Sequence, residues 1–466
     1  MKNQSKDNRL GVEPILPLLI KLSIPSIFSM TIQALYNVVD SIYVGRYSVQ
    51  GLSALSLAFP LQMFLIALAV GTGTGASSLI SRLLGKDDSD GASRAAEHTL
   101  LLSIVYGLFV AMIGVFLSKS LISIFTDDIQ LLEMSAEYIR IIFIGSTFLF
   151  IPMLANQILR GEGNTLTPMI AMLIGAILNI VIDPFLIFGI GPFPELGAAG
   201  AAYATVFSRM VSGIYVIYMV LTNDGDIQID RSKFKFDFGI IREIYEVGFP
   251  AMVMQFLGSF MVSGLNLIVG SYSNDAIAVV GIYFKLQSFV FMPVFGLNQG
   301  YMPIIGYNYG FNKPDRMKEA IKYGLLVGGA ITTLGFVVLQ LFPEPLVRLF
   351  NSDPKLVSMG VTALKRISLA FPVIGVSIVA STTFQAIGRG FVSLVASFLR
   401  QIIILLPAAY ILGKVGGLDS VWYAFPIAEG ASAIILSVLF IKIFSDVFKC
   451  MEDDNYLDNG TKVQQQ

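Results

Sequence analysis

The sequence predicts an all-α polytopic membrane protein: twelve transmembrane helices in two six-helix lobes related by a parallel pseudo-twofold repeat. Three observations carry this. Hydrophobic residues make up 55% of the chain and charged residues only 14%, with a mean hydropathy of +0.73, whereas soluble domains carry about 25% charged residues. Twelve apolar stretches have the ~20 residues needed to cross ~30 Å of hydrocarbon. The second half of the chain also matches the first at one fixed offset of 225 residues.

In order, the predicted spans are 17–43, 51–81, 97–117, 134–159, 167–190, 196–221, 243–270, 276–306, 320–342, 360–387, 391–413 and 419–446. The longest polar interruption, NDGDIQIDRSKFKFDFGIIR at 223–242, falls between spans six and seven. The expected organisation is therefore a cytoplasmic tail at 1–16, an N-lobe at 17–222 and a connector at 223–242. A C-lobe at 243–447 and a disordered cytoplasmic tail at 448–466 follow. The opening MKNQSKDNRLGVEP lacks a short apolar core with a small-residue cleavage site, so the first span is expected to be retained. With the N-terminus inside, the inner loops and the first turn of span nine hold thirteen arginines and lysines. The outer loops hold five: Arg46, Lys119, Arg348, Lys355 and Lys414. That bias places both termini in the cytoplasm.

The repeat is specific. Shifted by 225, Pro25 falls on Pro250, Val44-Gly45 on Val269-Gly270, and Leu61-Gln62 on Leu286-Gln287. Gly71, Gly75 and Gly85 meet Gly296, Gly300 and Gly310, and Asp128 meets Asp353. Shared apolar character does not align glycines, prolines and loop acids at one offset. An even number of spans per half makes the repeats parallel, an arrangement found in transporters that work by alternating access.

Against that symmetry, the intramembrane acids are one-sided. Asp40 in NVVDSIYVG and Asp183 in ILNIVIDPFLIFG lie in spans one and five. Their repeat positions hold Leu265 and, with Pro184 set on Pro407, Leu406. An aspartate at the centre of a membrane helix costs about 2.5–3.5 kcal/mol on insertion scales. Acids needed by the shared fold would occur in both copies, so these two are assigned to function. Asn179 and Asp183 are four apart on one helix face, as are Tyr36 and Asp40, with Asn37 one turn from Asp40. Pro184 is expected to disturb its helix and free carbonyls towards a cavity. Such a cluster can hold a proton or a small cation; the alternative is a pair of hydrogen-bonded polar anchors between helices.

These segments resemble the multidrug and toxic compound extrusion (MATE) transporters, especially the bacterial branch related to the DNA-damage-inducible efflux proteins. The resemblance runs over about residues 15–447. It rests on NVVDSIYVG, ILRGEGNT after span four, ILNIVIDP, GLNQGYMPIIGYNYG in span eight and LFNSDP between spans nine and ten. It implies an N-lobe cation site at Asp40, Asn179 and Asp183, completed by Asn156 in span four and Thr205 in span six. The sodium-driven branch keeps acids in the seventh and tenth helices. Here span seven shows Gln255 and Asn266 and span ten has no acid. The resemblance thus implies drug export coupled to protons, with Na+ at Asp40, Asn179, Asp183 and Thr205 as the alternative. It further implies a monomer in the bacterial inner membrane, small-molecule drugs as partners alongside the lipid bilayer, and no cofactor.

The remaining charged and polar features are read as follows. Glu429 in span twelve and Arg400 in span eleven lie at similar depth and are expected either to pair structurally or to act in coupling or substrate binding. Lys285 and Arg209 are expected to face a cavity or snorkel. Asn37, Gln255, Met153, Phe150 and Glu429 are weaker candidates for lining a substrate cavity, where methionine suits loosely specified apolar guests. GTGTG at 71–75 lacks the lysine of a phosphate loop, so it is read as small-residue helix packing. His98 is expected at the membrane interface. The net charge of −1 gives no reason for a nucleic-acid partner. Cys450 is the single cysteine, which leaves no intrachain disulfide. One histidine and no H-E-x-x-H leave little for hydrolytic chemistry, and no enzyme activity is expected. A lipid-linked saccharide flippase or a dedicated metabolite exporter is the competing transport function.

Overall fold

The computed structural model describes residues 8–222, 225–229 and 234–463; the side chains of residues 34, 37, 38, 41, 49 and 454–463 lie outside the description. Its helices are α1 (Arg9–Val12), α2 (Ile15–Tyr47), α3 (Val49–Gly85), α4 (Ser89–Ile122), α5 (Ile129–Ile144) and α6 (Thr147–Gly161). Then follow α7 (Leu166–Phe188), α8 (Gly197–Leu221), α9 (Phe238–Gly270), α10 (Asn274–Gly310), α11 (Pro314–Leu341) and α12 (Pro343–Arg348). The chain closes with α13 (Pro354–Ile367), α14 (Phe371–Ala386), α15 (Gly390–Phe398), α16 (Leu406–Gly416), α17 (Leu418–Val421) and α18 (Ala424–Val463). Among the described residues there is no strand. Eleven segments are long and apolar enough to cross a membrane, and α5 with α6, bent by 49°, makes a twelfth.

The 225-residue offset is written into the backbone. Asp87 and Asn312 both take the left-handed conformation, at φ 59° and 57°, which Asp and Asn tolerate better than other non-glycine residues. Gly163 and Gly388 do the same at φ 89° and 87°. Ser48 caps α3 through the N–H of Gly51, and Ser273 caps α10 through that of Ala276. Asp128 and Asp353 cap α5 and α13 in the same way. The break at Gly145–Ser146 in span four has its counterpart in the 3-10 turn Ser368–Ala370 of span ten. Single apolar runs gave no sign of either interruption. Span eleven, expected as one helix, is likewise broken by a π-helical turn at Leu399–Leu405.

Two compact units result, Ile24–Met252 in one and the chain up to Ser23 with Val253 onward in the other. The boundaries differ from the expected 17–222 and 243–447. The chain changes unit inside α2 and inside α9, beside Pro25 and Pro250, and not in the connector. Matched glycines explain how. At Gly75 of α3 an added Cβ would lie 2.0 Å from the Ile244 carbonyl oxygen of α9. At Gly300 of α10 it would lie 2.8 Å from the backbone of Leu22 and Ser23. Only glycine permits such backbone approach, so GTGTG does serve helix packing, with Gly73 set against the Gln157 side chain.

Segments expected as tails and linker are docked. Leu10 is buried, and its carbonyl accepts from Asn308 Nδ2 (3.1 Å) and Arg316 Nη2 (3.2 Å), which also reaches the Glu13 carbonyl at 2.7 Å. The described part of the connector is held on the Ile24–Met252 unit. Glu162 Oε1 accepts from Asp226 N at 2.9 Å and Ser93 Oγ from Gln228 N at 3.0 Å. His98 is fully buried; its Nε2 accepts from Asp237 N at 2.8 Å. α18 continues to Val463, through residues 448–463 of the segment expected as a disordered tail.

Replacing Gly75 by Ala should lower thermal stability by on the order of 2–4 kcal/mol, because backbone must move. Gly281→Ala, where an added Cβ meets nothing within 4 Å, should be neutral or gain up to about 1 kcal/mol. Thermal unfolding of the detergent-purified variants checks both.

Candidate functional site: an acceptor-rich cluster in a membrane-length helix unit

The cluster is assembled inside the Ile24–Met252 unit by α2, α7 and α8. α7 is continuous through Pro184 to Phe188. The proline therefore deletes one ladder bond, at the Ile180 carbonyl, a local disturbance that leaves the helix intact. Asn179 and Asp183 stack one turn apart on its inner face; both are buried, and Asn179 Nδ2 donates to Asp183 Oδ1 at 3.1 Å. Across the interface with α8, Asn179 Nδ2 lies 3.5 Å from Thr205 Oγ1. The Asp40 carboxyl of α2 faces that of Asp183. Asp40, Asn179, Asp183 and Thr205, four of the positions the resemblance implies, thus lie together. All lie towards the Gly189–Leu196 turn that joins α7 to α8.

Its electrostatics follow from unmet acceptors. Asp40 Oδ1, Asn179 Oδ1 and Asp183 Oδ2 are buried and receive no hydrogen bond from the described residues. Asn156 Oδ1 on α6, which packs against α7 and α8, is in the same condition. Buried oxygens lacking donors in hydrocarbon are costly, and their chemistry calls for a positive species: a proton between carboxyls or a small oxygen-preferring cation. Among the described residues no group of three or more His, Cys, Asp or Glu could hold a metal ion. Two carboxylates with amide and hydroxyl oxygens instead suit a monovalent charge.

Other expected residues fall elsewhere. Tyr36 is half-buried on α2, four residues from Asp40. The side chain of Asn37 lies outside the described residues. Phe150 is fully buried with its ring against Tyr106, and Met153 packs on the same core. Gln255 and Glu429 belong to the other unit. There Gln255 is exposed, while Glu429 accepts from Arg400 Nη1 at 3.2 and 3.4 Å. The two side chains do pair, with Arg400 in the π-helical turn, a feature frequent at functional sites.

Two residues of this region escaped the sequence reading. Tyr138 of α5 is buried within the fields of Asp40, Asp183 and Arg209, and its hydroxyl accepts from Gln62 Nε2 of α3 at 3.2 Å. The only available signal was the match of Gln62 with Gln287 in the repeat.

Membrane-length helices in two repeated halves, one of them enclosing a polar cluster, define the class: a multi-pass membrane transport protein. The MatE family model matches residues 25–185 and again 250–411, and the chain belongs to that family, the multidrug and toxic compound extrusion transporters. The two matched stretches start one repeat apart. The multidrug export protein MepA of Staphylococcus aureus is 28% identical over 434 residues, 93% of this chain and 95% of that protein. A FAD transporter of Shewanella oneidensis is 27% identical over 421 residues, 89% of this chain and 92% of that one. Among solved structures, a MATE in complex with MaL6 superposes with a TM-score of 0.90 at 28% identity, covering 96% of this chain and all of that one. An outward-facing multidrug resistance MATE family transporter gives 0.90 at 27%, again covering 96% of this chain and 100% of that one.

Arg400→Met leaves the Glu429 charge largely buried, so it should destabilise by about 1–3 kcal/mol; the double variant Arg400→Met/Glu429→Leu should recover most of that loss. Melting curves of the single and double variants decide it, and a double variant no better than the single contradicts a structural pair.

Proposed function

We propose that the protein is a secondary antiporter that exports amphipathic, often cationic, small molecules in exchange for protons by alternating access, with both termini in the cytoplasm. The observation that carries this reading is the facing of Asp40 and Asp183 amid buried oxygens that no donor reaches. A proton entering from outside supplies the missing positive charge. Exchange follows if the loaded and empty sites favour different conformations and the exported compound prefers the empty one, since coupling requires differential affinity. A membrane potential of ~100 mV adds about 2.3 kcal/mol per charge that crosses. The absence of an acid from spans seven and ten at the positions used by sodium-driven relatives supports protons over Na+. Sodium at Asp40, Asn179, Asp183 and Thr205 is the competing coupling ion.

A second reading, export of a dedicated metabolite, is favoured by the FAD transporter among the relatives. Ethidium efflux from cells lacking their major pumps separates the two. Wild type should clear the dye, and Asp40→Asn and Asp183→Asn at matched expression should each lose at least about tenfold in rate. Collapse of the pH gradient should stop efflux and removal of sodium should not. Wild type that clears no cationic dye, yet exports a flavin nucleotide, would establish the second reading instead.

A further inference from the structure

Arg209 stands at the midpoint of α8, twelve residues from each end. At 1.5 Å per residue it is about 18 Å from either helix terminus, beyond what an arginine side chain can bridge to reach the interface. It also lies on the inner face. At 100° per residue it falls about 40° from Thr205 and about 20° from buried Val216. The exposed stripe of Tyr203, Phe207, Ile214 and Tyr218 lies at least about 120° away. Among the described residues Arg209 makes no hydrogen bond and no ion pair. Its field nevertheless reaches Asp40 of α2 and Tyr138 of α5.

The charges on the elements packed against α8 are few at this depth. α7 contributes Asp183; on α5, Glu137 and Arg140 are exposed and Tyr138 is buried. Arg160 lies in the last turn of α6 and Arg82 in the last turn of α3. The interior at the cluster thus contains two carboxyls and one guanidinium. Resting on the antiport reading, we propose that Arg209 is the fixed counter-charge of the Asp40–Asp183 pair. It leaves the empty site with a net charge of −1, to be neutralised by one monovalent cation per transport cycle. Arg209 is thus a positioning residue that sets how many cations are exchanged, without itself binding the exported compound.

The test is the ion-to-substrate ratio in proteoliposomes, read as the pH or sodium gradient that just halts net flux of tetraphenylphosphonium. Wild type and Arg209→Lys should exchange one cation per substrate. Arg209→Gln, with two uncompensated carboxyls, should shift to two, a twofold change. Asp40→Asn neutralises the empty site and should uncouple flux. Combining Asp40→Asn with Arg209→Gln restores the charge of −1 and should restore a ratio of one, which also keeps the proposal falsifiable where Arg209→Gln alone folds poorly. A coupled wild type with an unchanged ratio in Arg209→Gln, or a double variant that stays uncoupled, overturns the assignment of Arg209. A folded wild type driven by neither gradient overturns the antiport reading on which it rests.

Discussion

Everything distinctive in this molecule depends on an imbalance of hydrogen bonding in a medium that cannot correct it. Hydrocarbon offers no donors, so each buried polar atom must find its partner within the protein. Around Asp40 and Asp183 the protein supplies oxygens in excess: three at the cluster and one on α6 receive no donor. Asn179 spends its amide on Asp183 and Thr205 and leaves its own carbonyl unmet. A static structural anchor would close these bonds. An unclosed set suits a site that is filled and emptied.

The rest of the fold reads as support for that asymmetry. One helical scaffold is used twice, with serine and aspartate caps and left-handed turns recurring 225 residues apart. Glycines at equivalent points let α9 approach α3 and α2 approach α10. Leu265 replaces Asp40 in the second copy and is fully buried in an apolar core. The second unit holds the Arg400–Glu429 pair, which is self-compensating. Duplication gave the architecture, and divergence at a handful of inner positions left the acceptor-rich cluster in one half.

Much of this was legible in the sequence because the governing signals are long-range in chain length or strong in cost. Twelve apolar runs, a fixed offset and two unpaired acids survive any uncertainty about local geometry. The break at Gly145 and the π-helical turn at Arg400 were not legible, since neither disturbs an apolar run. Nor was the exchange of unit beside Pro25 and Pro250, which depends on how far backbones can approach at Gly75 and Gly300. Docking of Leu10 was not legible either, because it rests on backbone carbonyls, which no side-chain pattern reports.

The most direct test of the coupling claim is proton counterflow in sodium-free proteoliposomes containing the purified protein, with no imposed pH gradient. An ethidium gradient should drive protons in the opposite direction through wild type, and a trapped pH dye should record nothing with Asp183→Asn. Ethidium flux through wild type without any proton counterflow would contradict the account.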